Sequence, residues 1–186
     1  MDLNYEALTK FESAGLLLRD FFISYDGGSL KSAYISLADE SGNFTGQDWL
    51  DIEYDFNALF VGPLALKAAP YASVYLEDEA LVMGKATLCH REFMEKLGLS
   101  ANQENSMPDD HISYVLELAV LLSANARQSA EYMPVFNQYV MEYIAKWVPD
   151  YIDKIKINAQ TAALQNIAEK LSYWLGELIT RVSYEQ

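Results

Sequence analysis

The residues best equipped for chemistry lie in one short run, Pro108-Asp109-Asp110-His111, which leads into the apolar stretch Ile112 to Ala126. Two carboxylates and an imidazole at the mouth of a helix admit three uses. An aspartate caps a helix well, because its carboxylate accepts from the orphan backbone N–H groups and anions are favoured at a helix N-terminus. A carboxylate beside a histidine suits general acid/base chemistry. A carboxylate also receives a guanidinium in paired, charge-assisted hydrogen bonds. Capping explains one of the aspartates but not both together with His111.

Other chemistries find little support. No glycine-rich phosphate loop with a following lysine occurs, and Gly27-Gly28 lacks the flanking pattern of a dinucleotide fingerprint. With one cysteine and two histidines, a zinc site would need carboxylates to complete it, and none is expected. Cys89 and His90 are neighbours on a predicted helix and point about 100° apart, which disfavours shared ligation. Cys89 reads as a small buried apolar group rather than a reactive thiol, with only Arg91 and the distant Lys85 as nearby cations. No resident cofactor is expected.

The 186 residues suffice for one domain spanning 1–186, with a core that needs neither disulfide nor metal. A net charge of −14 disfavours nucleic acid and anionic lipid, and favours a basic peptide or basic protein surface. The lone cysteine fits a reducing compartment. The acidic start, Met1-Asp2-Leu3-Asn4-Tyr5-Glu6, is unlike a secretory n-region, and no apolar run reaches transmembrane length. These features together predict a cytoplasmic protein without integral membrane association.

The elements that must position these residues read as helices throughout. Periodicity predicts helices over Leu3–Tyr25, Leu30–Ala38, Asp48–Val61, Glu79–Leu97, Asp109–Arg127, Glu131–Trp147, Tyr151–Asn158 and Thr161–Tyr184. Ser29 is placed as the second helix's cap, Gly98 ends the fourth, and Val148-Pro149-Asp150 separates two others. Leu99 to Met107, rich in Asn and Gln, reads as a hinge. In the closing helix, Leu164, Ile167, Ala168, Leu171, Trp174, Leu175 and Leu178 face inward. Convincing alternating strands are absent. The fold class is therefore all-α, a single-domain helical bundle.

Two aromatic clusters accompany the acidic run. Tyr54 to Pro63 is a helix end running into a turn, and Pro70-Tyr71-Ala72-Ser73-Val74-Tyr75 sets two tyrosines around a proline turn. In order and spacing, Leu59-Phe60 with Gly62-Pro63, then Pro70-Tyr71 with Ser73-Val74-Tyr75, then Pro108-Asp109-Asp110-His111 resemble the TorD/DmsD family of redox-enzyme maturation chaperones. The run from Phe136 to Trp147-Val148-Pro149 adds weaker support, so the resemblance covers about Asp51 to Tyr173.

The resemblance implies a wholly helical, non-enzymatic chaperone. Such a protein binds the twin-arginine signal peptide or the apo-form of a molybdenum-cofactor oxidoreductase, holding it until cofactor insertion is complete and export can follow. The signal-peptide surface then maps to Leu59, Phe60, Pro70, Tyr71, Ser73, Tyr75, Asp109, Asp110 and His111. Tyr71 stands where family members often carry Trp. The resemblance extends to guanine-nucleotide binding, which no residue here independently supports, and to a monomer or a domain-swapped dimer hinged near 99–107.

On this reading Leu59, Phe60, Tyr71 and Tyr75 line an apolar groove, while Asp110 and His111 are offered to the peptide. Asp110→Asn or His111→Ala should then weaken binding with little change in melting. Two other classes make different demands. A helical enzyme using His111 with Asp109 or Asp110 needs a deep pocket at that helix end. A helical adaptor needs an exposed apolar stripe around Trp174.

Overall fold

The computed structural model describes residues 7–38, 44–77, 82–99 and 107–183. Among the described residues, nine α-helices follow one another: α1 (Lys10–Phe22), α2 (Gly27–Leu37), α3 (Gly46–Phe56), α4 (Ser73–Leu76), α5 (Lys85–Lys96), α6 (Ile112–Gln128), α7 (Met133–Tyr139), α8 (Ala145–Asn158) and α9 (Ala162–Ser183). Two π-helical turns, Asn57–Val61 and Val140–Ile144, continue α3 and join α7 to α8. The architecture is an all-α bundle, as the apolar periodicity requires. The predicted hinge at 99–107 lies, from 100 to 106, outside the described residues.

Local chemistry sets the ends. Thr9 and Glu12 form a reciprocal capping box that starts α1. Asp26 caps α2, and Ser29 is the third helical residue that answers it, so the predicted cap is one turn inside the helix. Gly98 ends α5 at φ +74° and Gly62 ends the first π turn at φ +102°, conformations that a side chain disfavours.

The predicted break at Pro149 does not occur. Pro149 lies exposed within α8, and the only bond that its missing N–H denies is to Ala145, the first residue after the π turn. Trp147, Val148, Tyr151 and Ile152 are buried around it, so packing on one face overrides the local penalty.

The core centres on α6, whose residues from Ile112 through Ala126 are almost all buried and which packs most extensively along α1. A helix apolar on every side belongs in the middle of a bundle. The inward residues predicted for α9 are all buried. Trp174 stacks on Phe11 at 5.2 Å and donates from Nε1 to the Phe11 carbonyl at 3.0 Å, so it offers no adaptor stripe.

α9 is anchored by a residue on α3. Asp55 Oδ2 accepts from Gln160 N–H, Thr161 N–H and the Thr161 hydroxyl, each at 2.8 Å. The carboxylate thus lies at the positive end of the longest helix in a buried position. Asp55→Ala is expected to lower stability by about 2 kcal/mol, the upper range for a helix cap. A urea denaturation midpoint compared with wild type measures it.

Candidate functional site

Backbone hydrogen bonds bring the three sequence clusters together. Lys67 and Ala68 donate to the carbonyls of Ala58 and Leu59 at 3.2 and 3.1 Å, folding the 62–69 segment back onto the π turn. Ala72 N–H donates to the Asp110 carbonyl at 3.2 Å and Ile112 N–H to the Pro70 carbonyl at 2.8 Å, with Tyr71 and His111 paired as an antiparallel bridge. Proline at 70 exposes its carbonyl without offering an N–H, which suits a one-sided clamp of this kind.

Side chains reinforce the clamp. Asp110 has no exposed surface, and its Oδ2 accepts from Ser73 N–H at 2.8 Å, close to the start of α4. His111, 4% exposed, is the N-cap of α6: its Nδ1 accepts from Ser113 N–H at 3.2 Å and lies 2.7 Å from the Ser113 hydroxyl. The Tyr71 ring meets the His111 ring edge-on at 5.2 Å. Burial holds the His111 pKa down at about 3. Burial also raises the Tyr71 hydroxyl, with a further push from the Asp110 charge.

This arrangement corrects the predicted roles of the acidic run. The cap is His111 and not an aspartate, because its ring nitrogen reaches the free N–H of Ser113. Asp110 and His111 are turned inward and offer no open polar face. Neither aspartate pairs with His111: Asp110 goes to Ser73, and Asp109 forms an ion pair with Arg91 of α5. The acid/base pair required by an enzyme reading is therefore not assembled.

The aromatic clusters also sit deeper than a groove lining would. Leu59 and Phe60 are buried, with Phe60 edge-on to Phe22 at 5.4 Å and Phe56 at 5.2 Å. Tyr71 and Tyr75 are half-buried and reach the surface. Tyr151 of α8 joins the two clusters, since both Phe60 (6.1 Å) and Tyr75 (6.0 Å) pack on it. Trp147 adds a second ring against Tyr75 at 5.7 Å. Leu59 and Phe60 thus shape the surface from beneath.

Sequence reasoning weighed His90 only as a metal ligand beside Cys89 and missed its contact with α7. His90 is buried, its Nε2 lies 2.8 Å from the Tyr139 hydroxyl, and its ring stacks on Tyr143 at 5.0 Å. Burial pulls its pKa down to about 4, against the opposing charge of Asp110. The polar α5 sequence gave no sign of this inward face. Cys89, expected to be buried, is exposed, because the turn that buries His90 points its neighbour outward. Among the described residues, no group of three or more His, Cys, Asp or Glu is placed to hold a metal ion.

The family described as nitrate reductase delta subunit matches residues 28–153, a span that contains all three clamped segments. The chain belongs to this family. The TorD/DmsD family suggested by the motifs is thereby established. The Tat proofreading chaperone DmsD of Salmonella typhi is 29% identical over 129 residues, covering 67% of this chain and 61% of the relative. The chaperone protein TorD of Vibrio vulnificus (strain YJ016) is 24% identical over 159 residues, covering 81% and 73%. The match thus spans about three-fifths of the DmsD length. A crystal structure assigned to redox enzyme maturation, from Archaeoglobus fulgidus, superposes with a TM-score of 0.54 at 20% identity, covering 95% of this chain and 99% of that one. At that identity the likeness establishes the shared fold of this TorD/DmsD family member and nothing finer.

Proposed function

We propose that this TorD/DmsD family member is a non-enzymatic chaperone of the cytoplasm. It binds the twin-arginine signal peptide or the apo-form of a molybdenum-cofactor oxidoreductase, assists cofactor insertion and withholds the client from export until that is complete. The observation that carries this reading is the family match over 28–153, which covers every segment of the clamp and agrees with relatives named as DmsD and TorD chaperones. The formal charge of −14 supports it, since a basic peptide is drawn to an acidic surface.

The side chains divide the work by depth. Tyr71 and Tyr75 present partly exposed rings to an apolar stretch of peptide, as aromatic anchors do in binding surfaces. Leu59 and Phe60 fix the π turn beneath them, and Asp110, His111 and Ser73 hold the Pro70 loop against α6. Of the two aspartates, Asp109 keeps a small solvent face, 13% of its side chain, and Asp110 none. The reading needs no resident cofactor.

Isothermal titration of the folded chain with the signal peptide of the oxidoreductase encoded beside its gene tests the proposal. Saturable heat at micromolar peptide is expected, weakened by Tyr71→Ala. A folded chain that gives no heat with any such peptide overturns it.

A further inference from the structure

A cavity of about 160 Å³ lies between α5 and the end of α7, and its walls are mostly rings. Phe93 stacks on Tyr139 at 5.1 Å, Tyr139 on Tyr143 at 5.5 Å and Tyr143 on His90 at 5.0 Å, each pair within 21° of parallel. The buried contact of His90 Nε2 with the Tyr139 hydroxyl, 2.8 Å, holds the two helices together behind the rings. Tyr143 sits on the π turn Val140–Ile144. Single π turns recur at functional sites, and the other one, Asn57–Val61, already belongs to the clamp. Cys89, Gln138 and Glu142, all exposed, form the rim, where Gln138 Nε2 donates to Glu142 Oε2 at 3.0 Å.

Size and lining define what fits. A cavity of about 150 Å³ with apolar walls accepts benzene, so this one has room for a single six-membered ring. Aromatic walls gain from such a ring beyond the area it buries. Leu88 and Met141, the chain neighbours of Cys89 and Glu142, are exposed beside the rim. They suit a ring carried on a chain, whose adjacent residues they cover, and methionine adapts to uneven apolar surfaces. The exposed carboxylates of Glu142 and of Glu92, one turn after Cys89 on α5, favour a basic residue next to that ring. Arg91 of the same helix pairs with Asp109, so α5 joins this cavity to the clamp.

We propose that the cavity between α5 and α7 is an anchor site for one aromatic side chain of the client peptide, separate from the surface of Tyr71 and Tyr75. The identity of the partner rests on the peptide-binding reading above; the fit of a ring to the cavity does not.

Cys89 is the lone cysteine of the chain and lines the cavity, so its thiol reports occupancy without interference. The test follows alkylation of the folded full chain by N-ethylmaleimide, read by mass spectrometry, with acetyl-Phe-Lys-amide or acetyl-Ala-Lys-amide as the added probe. The phenylalanine probe is expected to slow Cys89 at least about threefold at 20 mM, with half of the effect between about 1 and 10 mM, as suits a single small anchor. The alanine probe should leave the rate unchanged. Gln138→Trp, which places a ring over the cavity from its own rim, should abolish the protection. Cys89→Ser should still give saturation-transfer NMR signals on the phenyl protons, because the thiol is the reporter and not the ligand.

The client signal peptide, added at saturation, should slow Cys89 as well. Equal slowing by the alanine probe, or none by the phenylalanine probe, overturns the ring site while peptide binding measured by titration stands. A signal peptide that binds by titration yet leaves the Cys89 rate unchanged overturns its assignment to this cavity. Protection by the phenylalanine probe in a chain that gives no heat with any signal peptide upholds the ring site and removes the peptide reading.

Discussion

Acidification from pH 7.5 to pH 4.5 is expected to lower the stability of this chain by about 5 kcal/mol, enough to unfold a domain of ordinary stability. The cause is the pair of buried histidines. Burial holds His90 at about 4 and His111 at about 3, against 6.5 in the unfolded chain. Between those values the unfolded chain takes up protons that the native chain refuses, so stability is full above pH 6.5 and is lost as pH falls toward the folded values. Each histidine contributes about 1.4 kcal/mol per pH unit in that window, or between about 2 and 3 kcal/mol by pH 4.5. His90 faces Tyr139, Tyr143 and the charges of Asp110 and Asp109; those two aspartates, with the Asp109 backbone, favour its protonated form, and burial outweighs them. His111 faces Ser113 and Tyr71, which supply no counter-charge.

Urea midpoints at pH 7.5, 6.0 and 4.5 measure the effect. The double variant His90→Gln, His111→Asn should lose most of the slope, and asparagine at 111 retains an oxygen able to cap α6. An equally steep slope in the double variant would assign the acid sensitivity to carboxylates instead. Glu12 is one such group. Burial pushes its pKa up, but hydrogen bonds from Thr9 and the Arg127 pair outweigh this and hold it below the usual carboxylate value. Its contribution is lost only as pH falls below the usual glutamate value of 4.5, under the range that these midpoints cover.

These same histidines show where sequence reading stops. The repeat of apolar residues in α6 and α9 determines a buried helix and the residues that face inward, because burial of that stripe dominates any local preference. The boundaries follow side-chain geometry that periodicity does not contain. Asp109, Asp110 and His111 are each able to cap α6, and which one does depends on how the Pro70 loop docks, a contact some 40 residues away in the chain. Pro149 reads as a helix break until the π turn before it and the buried face around it are known. The order of the three clusters was legible as a family pattern. Their union through Tyr151 and through the backbone of Pro70, Ala72 and Asp110 was not, because such pairing leaves no periodic trace.

Asp110→Ala is expected to cost about 3 kcal/mol, and to do so through the fold rather than through ligand affinity. The carboxylate is fully buried and receives Ser73 N–H at 2.8 Å, so its removal leaves a buried donor without an acceptor and loosens the Pro70 loop from α6. A lost hydrogen bond to a charged group and an unsatisfied N–H together account for that magnitude. Asp110→Asn retains an acceptor oxygen and should cost about 1 kcal/mol. This inverts the outcome predicted by a solvent-facing Asp110, for which affinity falls and melting does not change. Its neighbour should behave in the opposite way. Asp109→Asn removes an exposed ion pair with Arg91 and should shift stability by no more than about 0.5 kcal/mol, while peptide affinity falls. Denaturation midpoints for the three variants, with signal-peptide affinity measured at a temperature where all are folded, separate the two aspartates. A stable Asp110→Ala chain with weakened binding would return Asp110 to the peptide surface and leave the clamp to the backbone alone.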